Sequence, residues 1–357
     1  MPHRSKPNSV RVSLRDVAKA VGVSHVAVSL ALRGDRRVSL ARRHEITTVA
    51  RRLGYRPDPM LASLAAYRRH KSAVPISATI AWINQWPDPR ALRRLNEFDA
   101  YWRGAAEAAD LLGYRLEEFV VSPDLSPERL REILLARGVR GLLLPPHGQG
   151  LNLGTFEWSD FSVVRLGLSL PSPRAHAVVC DQSECASLAY ERVHTHGYRR
   201  IGFVSSLRFD RNTRGNFRAG FLRHQADLTP AHDRLAPLLL EENVSPSSAT
   251  ALRHWLAREH PDALITTLPT LRALLAKIGL RVPRDLAVAT TSVLDGNFPA
   301  GIDQNCHDIG AVALRTLAGL IYQNERGVPA VFRRLLVEGR WVDGASLPPI
   351  RRGLPVT

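Results

Sequence analysis

From residue 74 onward the chain alternates short apolar runs with helix-length segments, and few architectures accept that pattern. The runs cover 78–83, 116–121, 141–144, 163–166, 201–204, 263–265 and 286–289, with helix-length stretches such as 100–112 and 127–136 between them. Strands separated by helices pair in parallel through crossovers, so this region reads as doubly wound α/β, and its length suits two lobes. At 357 residues the chain is too long for one module, and 45% hydrophobic residues suffice for several cores. Cys180, Cys185 and Cys306 form neither a CxxC nor an even set, so no disulfide framework or cysteine zinc site is expected. The start of the chain is polar and basic, and no stretch reaches the length of a spanning helix, so a soluble, cytoplasmic protein is expected.

Charge is unevenly placed. The formal net charge is +16, yet residues 1–73 hold sixteen Lys and Arg against four Asp and Glu, a net of +12. A basic end on a nearly neutral body suits a nucleic-acid-binding module; a solvated basic face would look the same by charge alone. The apolar spacing in that segment decides between them. Ser13 caps a helix with Asp16 in capping-box position, and Leu14, Val17, Ala18 and Val21 share one face before Gly22. Ser24 starts a second helix with Val28, Ala31 and Leu32 on one side, ending at Gly34; a third from Ser39 buries Ile46, Val49, Ala50 and Leu53. Two short helices joined by a tight glycine turn predict a helix-turn-helix, whose second helix fits the major groove.

The segment from Val12 through Asp16, Val17, Ala18, Gly22 and Ser24, then Val28-Ser29, Val38-Ser39 and Leu53-Gly54-Tyr55-Arg56-Pro57, resembles the DNA-binding headpiece of the lactose-repressor (LacI/GalR) family of bacterial transcription regulators. The resemblance continues through Gly104, Leu112-Gly113-Tyr114, Asp181, His196-Gly197-Tyr198, Ala219-Gly220-Phe221, Pro261-Asp262-Ala263 and Val282-Pro283. It implies an all-α three-helix headpiece over 1–56, a hinge over 57–73, a two-lobed periplasmic-binding-protein-like core over 74–345 and a tail over 346–357. The first lobe would span about 74–175 and 307–340, the second about 176–306.

By the same resemblance, His25, Val26, Ala27 and Leu30 stand where base-reading side chains sit, while Ser24, Ser29, Arg33, Arg43 and Tyr55 meet phosphate and sugar. Val26 and Leu30 offer only apolar contact, for instance to a thymine methyl, where the family often reads guanine with arginine, so an unusual operator is expected. The alternative is that both are buried. Leu64 matches an intercalating leucine of the hinge helix; a plain linker is the other reading.

The cleft between the lobes is the expected effector site. Its candidates are Trp86, Tyr101, Asp181, Phe217 and Asp295, though Asp181 also suits a helix N-cap and the aromatics also suit core packing. Phe217 stands where the family carries a ligand-gripping arginine, and Leu264 to Pro269 lacks the usual Asn-Asp pair. A carbohydrate or derivative remains compatible, as does loss of ligand response. Gln304 matches a lobe-crossover position with a structural role. The chain carries no G-x-S-x-G, Walker, H-E-x-x-H or G-x-G-x-x-G motif, so no enzyme, metal or cofactor is expected. The resemblance implies a homodimer on a pseudo-palindromic operator, usually as a repressor, with activation the alternative; a solute-binding protein fits the basic headpiece less well, and a nucleic-acid enzyme lacks its catalytic motif.

Overall fold

A computed structural model describes residues 12–32, 37–55, 78–122, 124–147, 153–241 and 245–350. The headpiece and the core are separate compact units. In the headpiece, α1 (Leu14–Val21), α2 (His25–Leu32) and α3 (Leu40–Arg52) enclose Val17, Ala18, Val28, Ala31, Ile46 and Ala50. Each helix starts where its serine permits. Ser13 and Asp16 form the expected capping box, Ser24 Oγ accepts from Ala27 N at 3.1 Å, and Ser39 Oγ accepts from Arg42 N at 3.4 Å. Gly22 ends α1 at φ 71°, a left-handed conformation that would strain a side chain, and this lets α2 begin three residues later.

The core begins with β1 (Ala78–Asn84), a short α4 (Pro89–Arg94), α5 (Asn96–Leu112) and β2 (Tyr114–Val120). Next come α6 (Pro127–Ala136), β3 (Gly141–Leu144), β4 (Ser162–Leu166) and β5 (His176–Cys180). The chain then builds α7 (Gln182–Thr195), β6 (Ile201–Ser206), α8 (Leu207–Asn212), α9 (Asn216–Leu228) and β7 (Leu238–Leu240). After α10 (Pro246–Glu259), β8 (Ala263–Thr266), α11 (Leu271–Lys277), β9 (Ala287–Thr290) and β10 (Gly301–Asp303), α12 (Cys306–Gln323) leads to β11 (Arg334–Val337) and β12 (Arg340–Val342).

Two six-stranded sheets result, ordered β11-β5-β4-β3-β1-β2 and β12-β10-β9-β8-β6-β7. All pairings are parallel except β10 with β12. Each lobe has its own apolar core, one around Ile83, Leu142, Leu144 and Phe161, the other around Leu252, Leu264, Val288 and Phe298.

One boundary differs from the sequence reading. β5 pairs with β4 and β11, so the first lobe runs through Cys180 and the crossing falls at Asp181, not at 175–176. β12 joins the second sheet, so the chain leaves the first lobe again between Val337 and Arg340. The expected helix at 100–112 starts at Asn96, for a reason that lies in the other lobe, below. The three cysteines are buried free thiols; the turn from β5 into α7 brings Cys180 and Cys185 Sγ to 3.1 Å. No helix among the described residues is long and apolar enough to cross a membrane.

Candidate DNA interface and effector cleft

The second headpiece helix exposes two of the four residues expected to read bases, His25 and Val26. Val28 and Ala31 are buried, Leu32 is half-buried, and Val26 is 53% exposed at the start of α2 beside exposed His25. Val26 therefore contributes nothing to the headpiece core. Leu30, Ala27 and Ser29 are half-buried along the flank. Ser24 is exposed and already accepts from Ala27 N, which leaves its hydroxyl hydrogen for an outside acceptor. Arg43 is half-buried on α3, and Tyr55 packs against the headpiece core. Arg33 and Leu64, with the whole segment 57–73, lie outside the described residues.

In the core, Trp86 sits just beyond β1. Its indole Nε1 donates to the Pro146 carbonyl at 3.1 Å, and its ring meets Phe98 edge-on at 6.2 Å. Phe98 in turn stacks on Tyr101 at 5.8 Å. Tyr101 is buried between α5 and α12, and burial, with the Cys306 and Glu97 charges, pushes its phenol well above the usual range. Asp181 caps α7, accepting from Glu184 N at 3.1 Å. Phe217 is 2% exposed and packs on Phe209 at 6.0 Å, so it is a core residue of the second lobe and presents no open aromatic face. The five candidates thus do not form one surface.

Asp295 joins the lobes directly. Its carboxylate accepts from Asn96 N and Glu97 N, each at 3.0 Å, and Asn96 Nδ2 donates to the Leu294 carbonyl at 3.0 Å. A second-lobe carboxylate therefore supplies the cap that Leu95, the N-cap residue of α5, has no side chain to give. This explains the early start of α5. Beside it, Gln304 Nε2 donates to the Thr291 carbonyl at 2.8 Å and to Glu97 Oε1 at 3.4 Å. Sequence reasoning missed Glu97, Phe98 and Ser292: Glu97 and Ser292 gain meaning only from partners across the lobes, and Phe98 from the rings of Trp86 and Tyr101.

Burial pushes the Glu97 carboxyl up to about 7; a Ser292 hydrogen bond opposes this, and the Asp295 charge adds to it. The folded chain holds a proton that the unfolded chain loses near 4.5, so this group's contribution to stability falls as pH rises from about 4.5 through 7 and stays low above that. Glu97→Gln is expected to raise the melting temperature by a few degrees at pH 8 and to leave it unchanged at pH 5. Identical melting profiles for both proteins across that range would refute the assignment.

The lacI family of bacterial regulatory proteins matches residues 13–58, and the periplasmic binding protein-like domain matches residues 190–347. The chain thus joins a lacI-type DNA-binding domain to a periplasmic-binding-protein-like domain. It is 28% identical over 353 residues to the HTH-type transcriptional regulator GntR of Escherichia coli K12, covering 95% of this chain and 94% of that one. It is 27% identical to the HTH-type transcriptional regulator PtxS of Pseudomonas putida, covering 95% and 97%. Among solved structures, the fold matches the lac repressor dimer bound to operator and the anti-inducer ONPF with a TM-score of 0.53 at 19% identity, covering 95% of this chain and 99% of that one. The transcriptional regulator CelR in complex with cellobiose gives 0.55 at 21%, covering 94% and 100%. Like these lacI-family relatives, the protein is a DNA-binding transcriptional regulator that carries a ligand-binding type of effector domain.

Proposed function

We propose that this regulator acts without catalysis as a repressor in the cytoplasm. As a homodimer it holds a pseudo-palindromic operator through His25, Val26, Ala27 and Leu30, with Ser24, Ser29, Arg33, Arg43 and Tyr55 on the backbone and Leu64 in the minor groove. A small molecule between the core lobes, a carbohydrate or derivative, controls that grip by changing lobe closure. The observation that carries this reading is the exposed, uncharged start of α2 within a headpiece region of net +12. Solved structures of similar fold support the rest of the reading: one is the lac repressor dimer bound to operator, another a regulator in complex with cellobiose, and a third a LacI family regulator with bound ribose. Cleft closure is supported by the Asp295 cap, which exists only while the lobes are together.

Titration against a palindromic fragment from the upstream region of its own gene, at two salt concentrations, tests the first half. Selective binding that falls steeply with salt is expected, and Leu64→Gly should weaken it. Binding without sequence preference defeats the regulator reading, and an unaffected Leu64→Gly variant defeats the hinge role alone.

A further inference from the structure

Four arginines of the core gather with no acid among them. In register across the first sheet, Arg165 on β4 lies beside Ala177 on β5, which lies beside Arg334 on β11. Residues in register point to the same face, so two guanidinium chains rise about 10 Å apart with only the Ala177 methyl between them. Arg174, just before β5, joins them. Its Cζ stands 4.7 Å from the Phe332 ring centroid, and the Arg334 Cζ stands 5.7 Å from the same ring. In the second lobe, Arg214 stands in the left-handed region at φ 56° between α8 and α9, and its charge acts on Arg165. Among the described residues none of the four pairs with a carboxylate.

Arg165 makes this arrangement costly. It is 1% exposed, and its Nη1 donates to the Leu170 carbonyl, at 2.6 Å, while its buried Nε has no acceptor. An unpaired buried charge is destabilising unless something compensates it. Burial, followed by Arg214, Arg334 and Arg174, pushes its guanidinium down to about 10. Arg214 of the second lobe is lowered by burial first and then by Arg334 and Arg174. Cation–π contact with Phe332 offsets part of the repulsion and holds Arg174 and Arg334 in place, but it supplies no negative charge.

We propose that Arg165, Arg174 and Arg334 of the first lobe, with Arg214 of the second, bind the oxyanion of a small metabolite, a phosphate or carboxylate group, and that the bound anion draws the lobes together. Planar guanidinium forks match such oxygens in pairs, and an anion shared between lobes stabilises the closed arrangement against the open one. The inference rests on the reading of the core as an effector-controlled domain and names the chemical class of that effector. It also replaces the arginine expected at Phe217 with charges from elsewhere in the fold.

The test uses the full-length protein and measures melting temperature and calorimetric affinity at fixed ionic strength with inorganic phosphate, glucose 6-phosphate, glucuronate, glucose and sodium chloride. At least one of the three oxyanions should raise the melting temperature saturably, with no such rise from glucose or chloride. The preferred anion distinguishes a phosphate group from a carboxylate. Arg174→Gln and Arg334→Gln, both away from the Leu170 contact that could make Arg165 variants misfold, should each weaken that affinity at least tenfold. Arg334→Lys should recover part of it. No oxyanion effect beyond the controls, or an effect that survives intact in both glutamine variants, overturns the proposal. Operator titration of the same samples separates the two failures: selective operator binding with no anion effect removes this site and leaves the regulator, whereas loss of selectivity in the unmodified protein removes the regulator reading itself.

Discussion

Val26→Glu should weaken operator binding by about 100-fold or more while the headpiece stays folded, because one exposed side chain then sets a carboxylate against the negative groove. Val26 is 53% exposed, and surface substitutions of that kind change stability by about 0.5 kcal/mol or less. The neighbouring Val28→Glu provides the contrast. Val28 is fully buried between α1 and α3, so an unpaired carboxylate there should unfold the headpiece and remove binding by a different route. Mobility-shift titration together with circular dichroism melting distinguishes the two. Operator affinity within threefold of the unmodified protein for Val26→Glu would move the reading face elsewhere on the helix.

The second large effect is expected at Gly104, where α5 crosses α12. A Cβ there would come 1.8 Å from the His307 carbonyl oxygen, a backbone atom that cannot step aside, and Gly310 approaches the Tyr101 carbonyl in the same crossing. Gly104→Ala should therefore cost about 3 kcal/mol or more, lowering the melting temperature by roughly 6–12 °C. Gly319→Ala on the same α12 is the control. No atom lies within 4 Å of its added methyl, so the ordinary helix preference for alanine should leave the protein unchanged or gain about 0.5–1 kcal/mol. Equal melting for both variants would mean that the helices can separate without loss.

Much of the headpiece was legible because its determinants are local. Ser13 with Asp16, Gly22 and Ser24 act within four residues of themselves, and the apolar spacing of Val17, Ala18, Val28 and Ala31 already describes the faces that meet. In the core, the apolar runs at 141–144 and 263–265 fall on β3 and β8. β5, β7, β10, β11 and β12 were not among those runs, since a strand of three to five residues offers too few positions to establish a period. Phe217 was misjudged for a related reason: a lone aromatic on a helix has the same signature whether it faces Phe209 or a ligand.

Taken alone, the chain determines its helix starts and stops, the alternation that demands parallel sheets, and the concentration of positive charge at one end, because each of these depends on neighbours in sequence. Only the tertiary structure decides that Asp295 caps α5 from about two hundred residues away and that Glu97 sits half-buried beside it. The same holds for the assembly of Arg165, Arg174, Arg214 and Arg334, which lie on four separate segments. Capping, burial and charge repulsion act over a few ångströms, and which residues come within that range depends on how the crossovers bring the sheets and loops together.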